Sequence, residues 1–520
     1  MSDLKDIMYT EAIKNKLKTK EELSAIIGGR PRAKKVIMCH GVFDIVHPGH
    51  VRHLAFAKSK ADVLVASLTC DAHVSKAHYR PYVPEYLRAM NLAALEFVDY
   101  VIIDTHPTPL DNIKYLQPDY FAKGYEYVAD AMPPKTQEEL EVLKSYGGEI
   151  LFTPGDVVYS SSAFIEMYPP NISSDKLATL MVAEGIDFNV LRSALDSFKG
   201  LRVHVVGDTI VDSYTYGTMI GGMTKTPTIS IKYEKQIDFV GGAAVVSKHL
   251  QTAGAKVKFT TLMGNDPLKD FVLQDLEKVG VECECVMDST RPTTQKQSFF
   301  ANNYNLLKVD RLQNSPISDK ILDQFTNSIA KSQSDVMVFS DFRHGIFNHQ
   351  TIPHLINSIP ANTFRVGDSQ VASRWGNITE FQGFDLITPN ERETRFALGD
   401  QDSVIRPLAL TLYKKANCKY LILKLGERGI ITYRSGSTDD PRAFFTVDSF
   451  VDKLVDPVGA GDALLAYSTL ALLATKSIII ASILGSVAAA LACEAYGNTP
   501  VSPEDVLKRL DLIEKRVMYI

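Results

Sequence analysis

Apolar runs recur along the chain at intervals that predict short buried strands separated by helices. The first covers residues 36–39, and others follow at 63–68, 98–103, 120–122 and 149–152. Between them the apolar positions return at helical spacing. That alternation predicts a parallel sheet with helices on its faces. The series ends near Tyr168-Pro169-Pro170. Residues 1–33 predict a charged helical lead-in closed by Gly28, Gly29 and Pro31, and residues 169–199 predict a helical connector. A second series opens at 201–206, includes 336–340, 364–367, 386–388 and 420–423, and closes with apolar helices after Asp462. Residues 228–233 and 235–240 alternate with a period of two, which predicts an antiparallel hairpin placed as a flap over a site. The expected fold class is α/β in two domains, residues 34–168 and 200–515.

Composition narrows the function classes. The 520 residues are 45% hydrophobic and 22% charged, values that exclude a largely disordered, collagen-like or coiled-coil chain. With 56 basic against 61 acidic residues and a net charge of −5, nothing in the bulk charge favours nucleic acid or an anionic membrane. Six cysteines without a CxxC pair suit a reducing compartment. The charged start lacks an apolar signal region, and the longest uncharged stretch, residues 477–493, is shorter than the ~20 residues a span needs. It predicts a buried helix, and the expected location is cytoplasmic.

The densest chemistry lies in Cys39-His40-Gly41-Val42-Phe43-Asp44-Ile45-Val46-His47-Pro48-Gly49-His50, between a strand and a helix. Pro48 suits the first turn of that helix. His47 and His50 are three apart and share a face of it. A helix N-terminus attracts a polyphosphate, and imidazole N–H groups aimed there can hold charge that develops as pyrophosphate leaves. His53 extends the series toward a metal reading. However, His47 and His53 fall on different sides of a helix, and no acidic ligand follows.

This segment resembles the nucleotidyltransferase superfamily with the HxGH signature, in its cytidylyltransferase-like branch. Later segments continue the resemblance through residues 34–168. Thr69-Cys70-Asp71 is similar to a strand-end Asp, Lys76 and Arg80-Pro81 to a basic loop, and Arg88 to a helix Arg. Lys123-Gly124-Tyr125-Glu126-Tyr127 is similar to KGGDY, and Ser160-Ser161-Ser162 to an STT that touches phosphates. The resemblance implies a Rossmann-like domain. There a sugar or polyol phosphate attacks the α-phosphate of ATP or CTP with Mg²⁺. His47, His50, Lys76 and Arg88 would stabilise the transfer. Gly41, Phe43, Asp71, Lys123, Gly124, Glu126, Ser160, Ser161 and Ser162 would line the nucleotide. Two departures, KGYEY for KGGDY and His40 for a commoner Asn or Thr, leave the base open between adenine and cytosine.

A second constellation is Asp456-Pro457-Val458-Gly459-Ala460-Gly461-Asp462 before a long apolar helix. Two glycines let the backbone approach a phosphate, and successive N–H groups at a helix N-terminus make an anion hole. Asp462 is placed to take a proton from an attacking hydroxyl. With Gly207-Asp208, Asp212, Gly241-Gly242-Ala243-Ala244, Asn390, Glu393 and Lys424-Leu425-Gly426, this resembles the ribokinase (phosphofructokinase-B) family of carbohydrate kinases over residues 200–515. The resemblance implies a ribokinase-like α/β sandwich with a β flap. Asp462 would be the base, Gly459, Ala460 and Gly461 the anion hole, and Asn390 and Glu393 the Mg²⁺ and phosphate side. Asp208, Asp212, Gly241 and Gly242 would face the sugar, and Lys424 and Gly426 the ATP. It also implies a homodimer through the flap. Departures are Val245 for an Asn, Asp368-Ser369-Gln370 for Asp-Pro-Lys, and Lys424 for a Thr.

Together the halves resemble the bifunctional heptose kinase/adenylyltransferase family of ADP-heptose synthesis, in reversed order. Gly207–Gly217, Ser340-Asp341-Phe342-Arg343-His344-Gly345 (with His344 for Lys) and Gly497-Asn498-Thr499-Pro500 carry that likeness. A two-step activation of a sugar is expected. The alternatives are a CDP-linked sugar or polyol, and a chain in which one half, more readily the kinase, is a non-catalytic binding or oligomerisation module.

Overall fold

The computed structural model describes residues 11–74, 80–124, 134–153, 173–222, 229–302, 304–370, 377–437, 440 and 442–518. The main bodies of two compact units part between Gly185 and Ile186, within the segment expected as a connector. Helices Ser173–Glu184 and Phe188–Asp196 lie on either side of that point.

The first unit is built on a parallel sheet of β1 (Val36–Gly41), β2 (Val63–Thr69), β3 (Tyr100–Asp104), β4 (Tyr120–Gly124) and β5 (Glu149–Thr153), in the order β3-β2-β1-β4-β5. β1 is central. Ile37 and Cys39 pack into one hydrophobic cluster with Leu54, Leu64 and Leu92, while Val36 and Met38 pack into another with Ile113, Phe121 and Leu143. A strand covered on both faces reads as an unbroken apolar run, which is why the sequence shows it clearly. The chain moves from β1 outward to β3, then returns to the other side of β1 for β4. The carboxyl ends of β1 and β4 therefore flank a switch point, where ligands bind in open α/β sheets. Gly41 ends β1, and Lys123 and Gly124 end β4.

The second unit has a nine-stranded sheet of β6 (Arg202–Gly207), β9 (Lys256–Met263), β10 (Glu282–Met287), β13 (Val336–Asp341), β14 (Phe364–Ser369), β15 (Leu386–Ile387), β16 (Tyr420–Lys424), β17 (Ile430–Tyr433) and β18 (Phe444–Val447). Its order is β10-β9-β6-β13-β14-β15-β16-β17-β18. The pairs from β10 to β16 are parallel, and β17 turns back antiparallel. The switch lies between β6 and β13, so Asp341, Asp368 and Lys424 all arrive at carboxyl ends of one sheet. Helix Ile478–Glu494 is almost wholly buried, as its lack of charge predicts. No described helix is long and apolar enough to cross a membrane.

A separate four-stranded sheet, β12-β11-β7-β8, contains β7 (Thr209–Gly222), β8 (Ile229–Gly242), β11 (Gln295–Ala301) and β12 (Tyr304–Arg311). This corrects the expected hairpin. Residues 229–240 belong to one strand, paired antiparallel with β7, and the arms of the hairpin are β7 and β8. Tyr216 pairs with Lys235 and Gly217 with Tyr233, so Glu234 is an extra residue at a bulge. A bulge interrupts the period of two without ending the strand. Residue 228 lies outside the described residues.

Candidate functional site

In the first unit, His47 caps helix Pro48–Lys58. Its Nδ1 accepts from Gly49 N at 3.1 Å, and Pro48 occupies the first turn. His50 Nδ1 donates to Ile45 O at 3.1 Å. The two rings stack with centroids 3.9 Å apart, and Phe43, at φ 48°, sets its ring edge-on to His50. Burial and the neighbouring His47 ring push His50 down to about 4. Gly41 faces the Phe43 ring closely: a Cβ there would lie 3.2 Å from it. The expected pairing of His47 and His50 at a helix N-terminus is thus what the fold builds.

Other expected residues are engaged elsewhere. Arg88 is fully buried. Its guanidinium donates to Val83 O (2.8 Å), Thr69 O (3.0 Å), Val42 O and Asp71 Oδ1 (2.5 Å). It ties the end of β2 to the turn after β1, and Asp71 completes its shell. Lys123 donates to Thr136 Oγ1 at 2.9 Å and to Glu139, beside Gly124. His40 lies within 3.0 Å of Ser67 Oγ and 3.1 Å of Thr69 Oγ1, and burial pushes it down to about 4. His53 turns to Thr153 Oγ1 at 2.9 Å. No metal-binding group of three or more His, Cys, Asp or Glu occurs among the described residues. Lys76, Glu126, Ser160, Ser161 and Ser162 lie outside the described residues.

In the second unit, Gly459, at φ 82°, precedes helix Ala460–Thr475, where Ala460, Gly461 and Asp462 form the first turn. Asp462 is 8% exposed, and its Oδ1 is buried without a partner. Burial, then the Asp368 carboxylate, push it up to about 8, and the Lys424 ammonium acts against them. Lys424 Nζ donates to Asp368 Oδ1 at 3.0 Å, and a Cβ on Gly461 would sit 3.3 Å from that nitrogen. The ammonium therefore lies under the glycine loop. Burial disfavours its charge, but Asp368 and Glu393 outweigh burial and hold it protonated. Gly426, at φ 63°, follows Lys424 in the turn after β16.

Asn390 and Glu393 form a reciprocal cap at helix Glu391–Leu398. Asn390 Nδ2 and N each donate to Glu393 at 2.7 Å, and Glu393 N donates to Asn390 Oδ1 at 2.8 Å. Burial and Asp368 push Glu393 up to about 7. Asp368, Glu393 and Asp462 gather around the single Lys424 ammonium, oxygen donors of the kind a hard divalent cation takes when phosphate oxygens and water complete its shell.

The acceptor side forms around Asp212. Asn498 Nδ2 donates to Asp212 Oδ2 at 3.3 Å and to Val240 O at 3.1 Å, while its Oδ1 is buried without a partner. A Cβ on Gly241 would approach Asp212 Oδ2 to 2.4 Å, and one on Gly459 would approach Asn498 Oδ1 to 3.0 Å. Both glycines thus leave room for Asn498, which joins the acceptor side to the anion hole. Gly242, at φ 63°, starts the helix in which Val245 is buried. Asp208 is placed differently: its Oδ2 accepts from Phe342 N (2.9 Å) and His344 N (3.3 Å), fixing the loop after β13. His344 is 4% exposed with neither ring nitrogen partnered, and Lys296 lies near enough to lower its pKa further. Asn498, Asp368 and Lys296 are the functional candidates the sequence reading missed. Asn498 belongs to the Gly497–Pro500 motif, which by itself assigns it no role, Asp368 heads a segment that departs from the family pattern, and Lys296 has no local signature.

A mainly parallel sheet whose carboxyl ends meet a buried Asp at a glycine-rich helix start, with a separate four-stranded sheet that carries Asp212, defines a sugar-kinase type of fold. The pfkB family carbohydrate kinase model matches residues 202–505, more than half of the chain, and the chain belongs to that family. The cytidylyltransferase-like model matches residues 38–178. The chain is 27% identical over 312 residues to the bifunctional protein HldE of Sulfurimonas denitrificans, covering 59% of this chain and 63% of that one. It is 44% identical over 114 residues to the bifunctional protein HldE of Campylobacter jejuni subsp. doylei, covering 22% of this chain and 24% of the relative. In the longer alignments the chain spans less than two thirds of its relatives' length. Among solved structures, phosphofructokinase-2 from Escherichia coli in complex with substrates and products superposes with a TM-score of 0.51 at 17% identity. It covers 60% of this chain and 100% of that one, a likeness of fold.

Proposed function

We propose that the chain is a bifunctional sugar-activating enzyme. The observation that carries the kinase half is the buried Asp462 carboxylate, with one oxygen unpartnered, at the glycine-rich helix start beside Lys424. The acceptor is a sugar or sugar phosphate lying between Asp212, Asn498 and the Gly459–Gly461 loop. Its hydroxyl oxygen attacks the γ-phosphorus of ATP, Asp462 takes the hydroxyl proton, and ADP leaves. Gly459, Ala460 and Gly461 present backbone N–H groups to the phosphate. Asn390 and Glu393 would help hold Mg²⁺, which neutralises phosphate charge when bound.

The nucleotidyltransferase half joins a sugar phosphate to a nucleoside triphosphate. A phosphate oxygen of the sugar attacks the α-phosphorus and pyrophosphate leaves, with His47 and His50 at the leaving group. The favoured product is an ADP-heptose-type nucleotide sugar. The test incubates the full chain with Mg²⁺, a panel of heptose and other sugar 1-phosphates, and ATP or CTP, and measures pyrophosphate. Release with ATP and a heptose phosphate is expected. Release with CTP alone would move the product to a CDP-linked sugar or polyol, and no release with either would reject the transferase reading.

The four-stranded sheet also fits a homodimer contact. Leu307, Val309 and Tyr233 are exposed, and strand register puts them on the face opposite Asp212. Leu307→Glu should convert a dimer to a monomer by light scattering, while an unchanged mass would exclude this face.

A further inference from the structure

The two histidines at the start of helix Pro48–Lys58 are not equivalent, and their hydrogen bonds show why. A backbone N–H can only donate, so His47 Nδ1, 3.1 Å from Gly49 N, carries a lone pair, and the ring proton sits on Nε2. A carbonyl can only accept, so His50 Nδ1, 3.1 Å from Ile45 O, carries the proton. That leaves Nε2 of neutral His50 as a bare acceptor, unable to donate to a phosphate oxygen. Protonating His47 would set Nδ1–H against Gly49 N–H and break the helix cap. Protonating His50 adds the proton at Nε2 and keeps the bond to Ile45. The stacked rings, 3.9 Å apart, disfavour two positive charges.

We propose that His50, and not His47, takes a proton from solvent when a polyphosphate binds, so that the anion meets one neutral and one cationic N–H donor. This rests on the nucleotidyltransferase reading of the same site. In the free protein, burial and then His47 hold His50 near 4, so it is neutral at pH 7. His53 on the same helix and Arg80 from the following loop also oppose its protonation, and the bond to Ile45 favours it. An anion placed within ~4–6 Å favours the charged form and reverses the balance.

The test uses the full chain with ¹³C-labelled histidine and magnesium pyrophosphate as the probe, followed by ¹H–¹³C spectra at pH 7. His47→Gln and His50→Gln assign the two ring signals. The expected result is that the His50 signal moves to the imidazolium position while His47 keeps its neutral position. In calorimetry across buffers, uptake of about one proton per site should be lost in His50→Gln and kept in His47→Gln. A charged His47, or two rings perturbed but both neutral, would overturn the inference while leaving the site reading intact. Neither ring perturbed at saturating pyrophosphate would overturn both.

Discussion

Asp462→Asn should lower phosphoryl transfer from ATP by about 10²–10⁴-fold, the range a positioned general base supplies, while pyrophosphate release at the other unit is unchanged. The amide keeps the shape and removes the proton acceptor. The pH dependence provides an independent check. Asp462 is pushed up to about 8, first by burial and then by Asp368. A base works only when deprotonated, so kcat/KM should fall as pH drops below about 8 and level off above it. Lys424 is the group that lowers the Asp462 pKa, so Lys424→Met should move that limb to higher pH and reduce the rate at pH 7. Retention of full transfer by Asp462→Asn would remove it from the role of base. An unmoved limb in Lys424→Met would show that the ammonium does not tune it.

The legibility of the site in the sequence follows from how local each feature is. The start of helix Pro48–Lys58 and the Gly459–Gly461 turn are contiguous. Their spacing alone predicts a strand or loop entering a helix, and both helices begin there. The buried strands were equally legible, because burial on both faces leaves an unbroken apolar run. What the sequence did not show depends on residues distant in the chain. Asn498 reaches Asp212 across 286 positions, and Lys424 meets Asp368 across 56. Asp208 is expected at the sugar only through the resemblance of its motif to the carbohydrate kinases. Only the fold shows that two backbone N–H groups of the loop after β13 occupy it. The hairpin was misplaced for a different reason: a bulge at Glu234 and a turn disturb alternation in the same way along one strand, and pairing with β7 separates them.

Arg88 shows the same limit most sharply, and its replacement should have the largest effect on stability. The sequence places an Arg on a helix near a phosphate site, and the expectation was a charge on the transferred group. The fold buries the guanidinium completely and satisfies it with three backbone carbonyls and Asp71. Removing one partner of a buried charged network costs about 3–5 kcal/mol, because the groups left behind lose their bonds without regaining water. Arg88→Met should therefore lower the melting temperature of the first unit by roughly 10 °C. Melting of the second unit and turnover of ATP there should not change. Two carbonyls freed by the change, Val42 O and Thr69 O, border the turn that leads to His47, so nucleotide binding should weaken in step with melting rather than ahead of it. A variant that melts as the parent does but binds nucleotide poorly would return the guanidinium to the phosphates. Scanning calorimetry of the full chain, with and without nucleotide, distinguishes the two outcomes. The difference matters for the proposed transfer, because a guanidinium held by three carbonyls and Asp71 is not available to the phosphates, whereas one released from them would be.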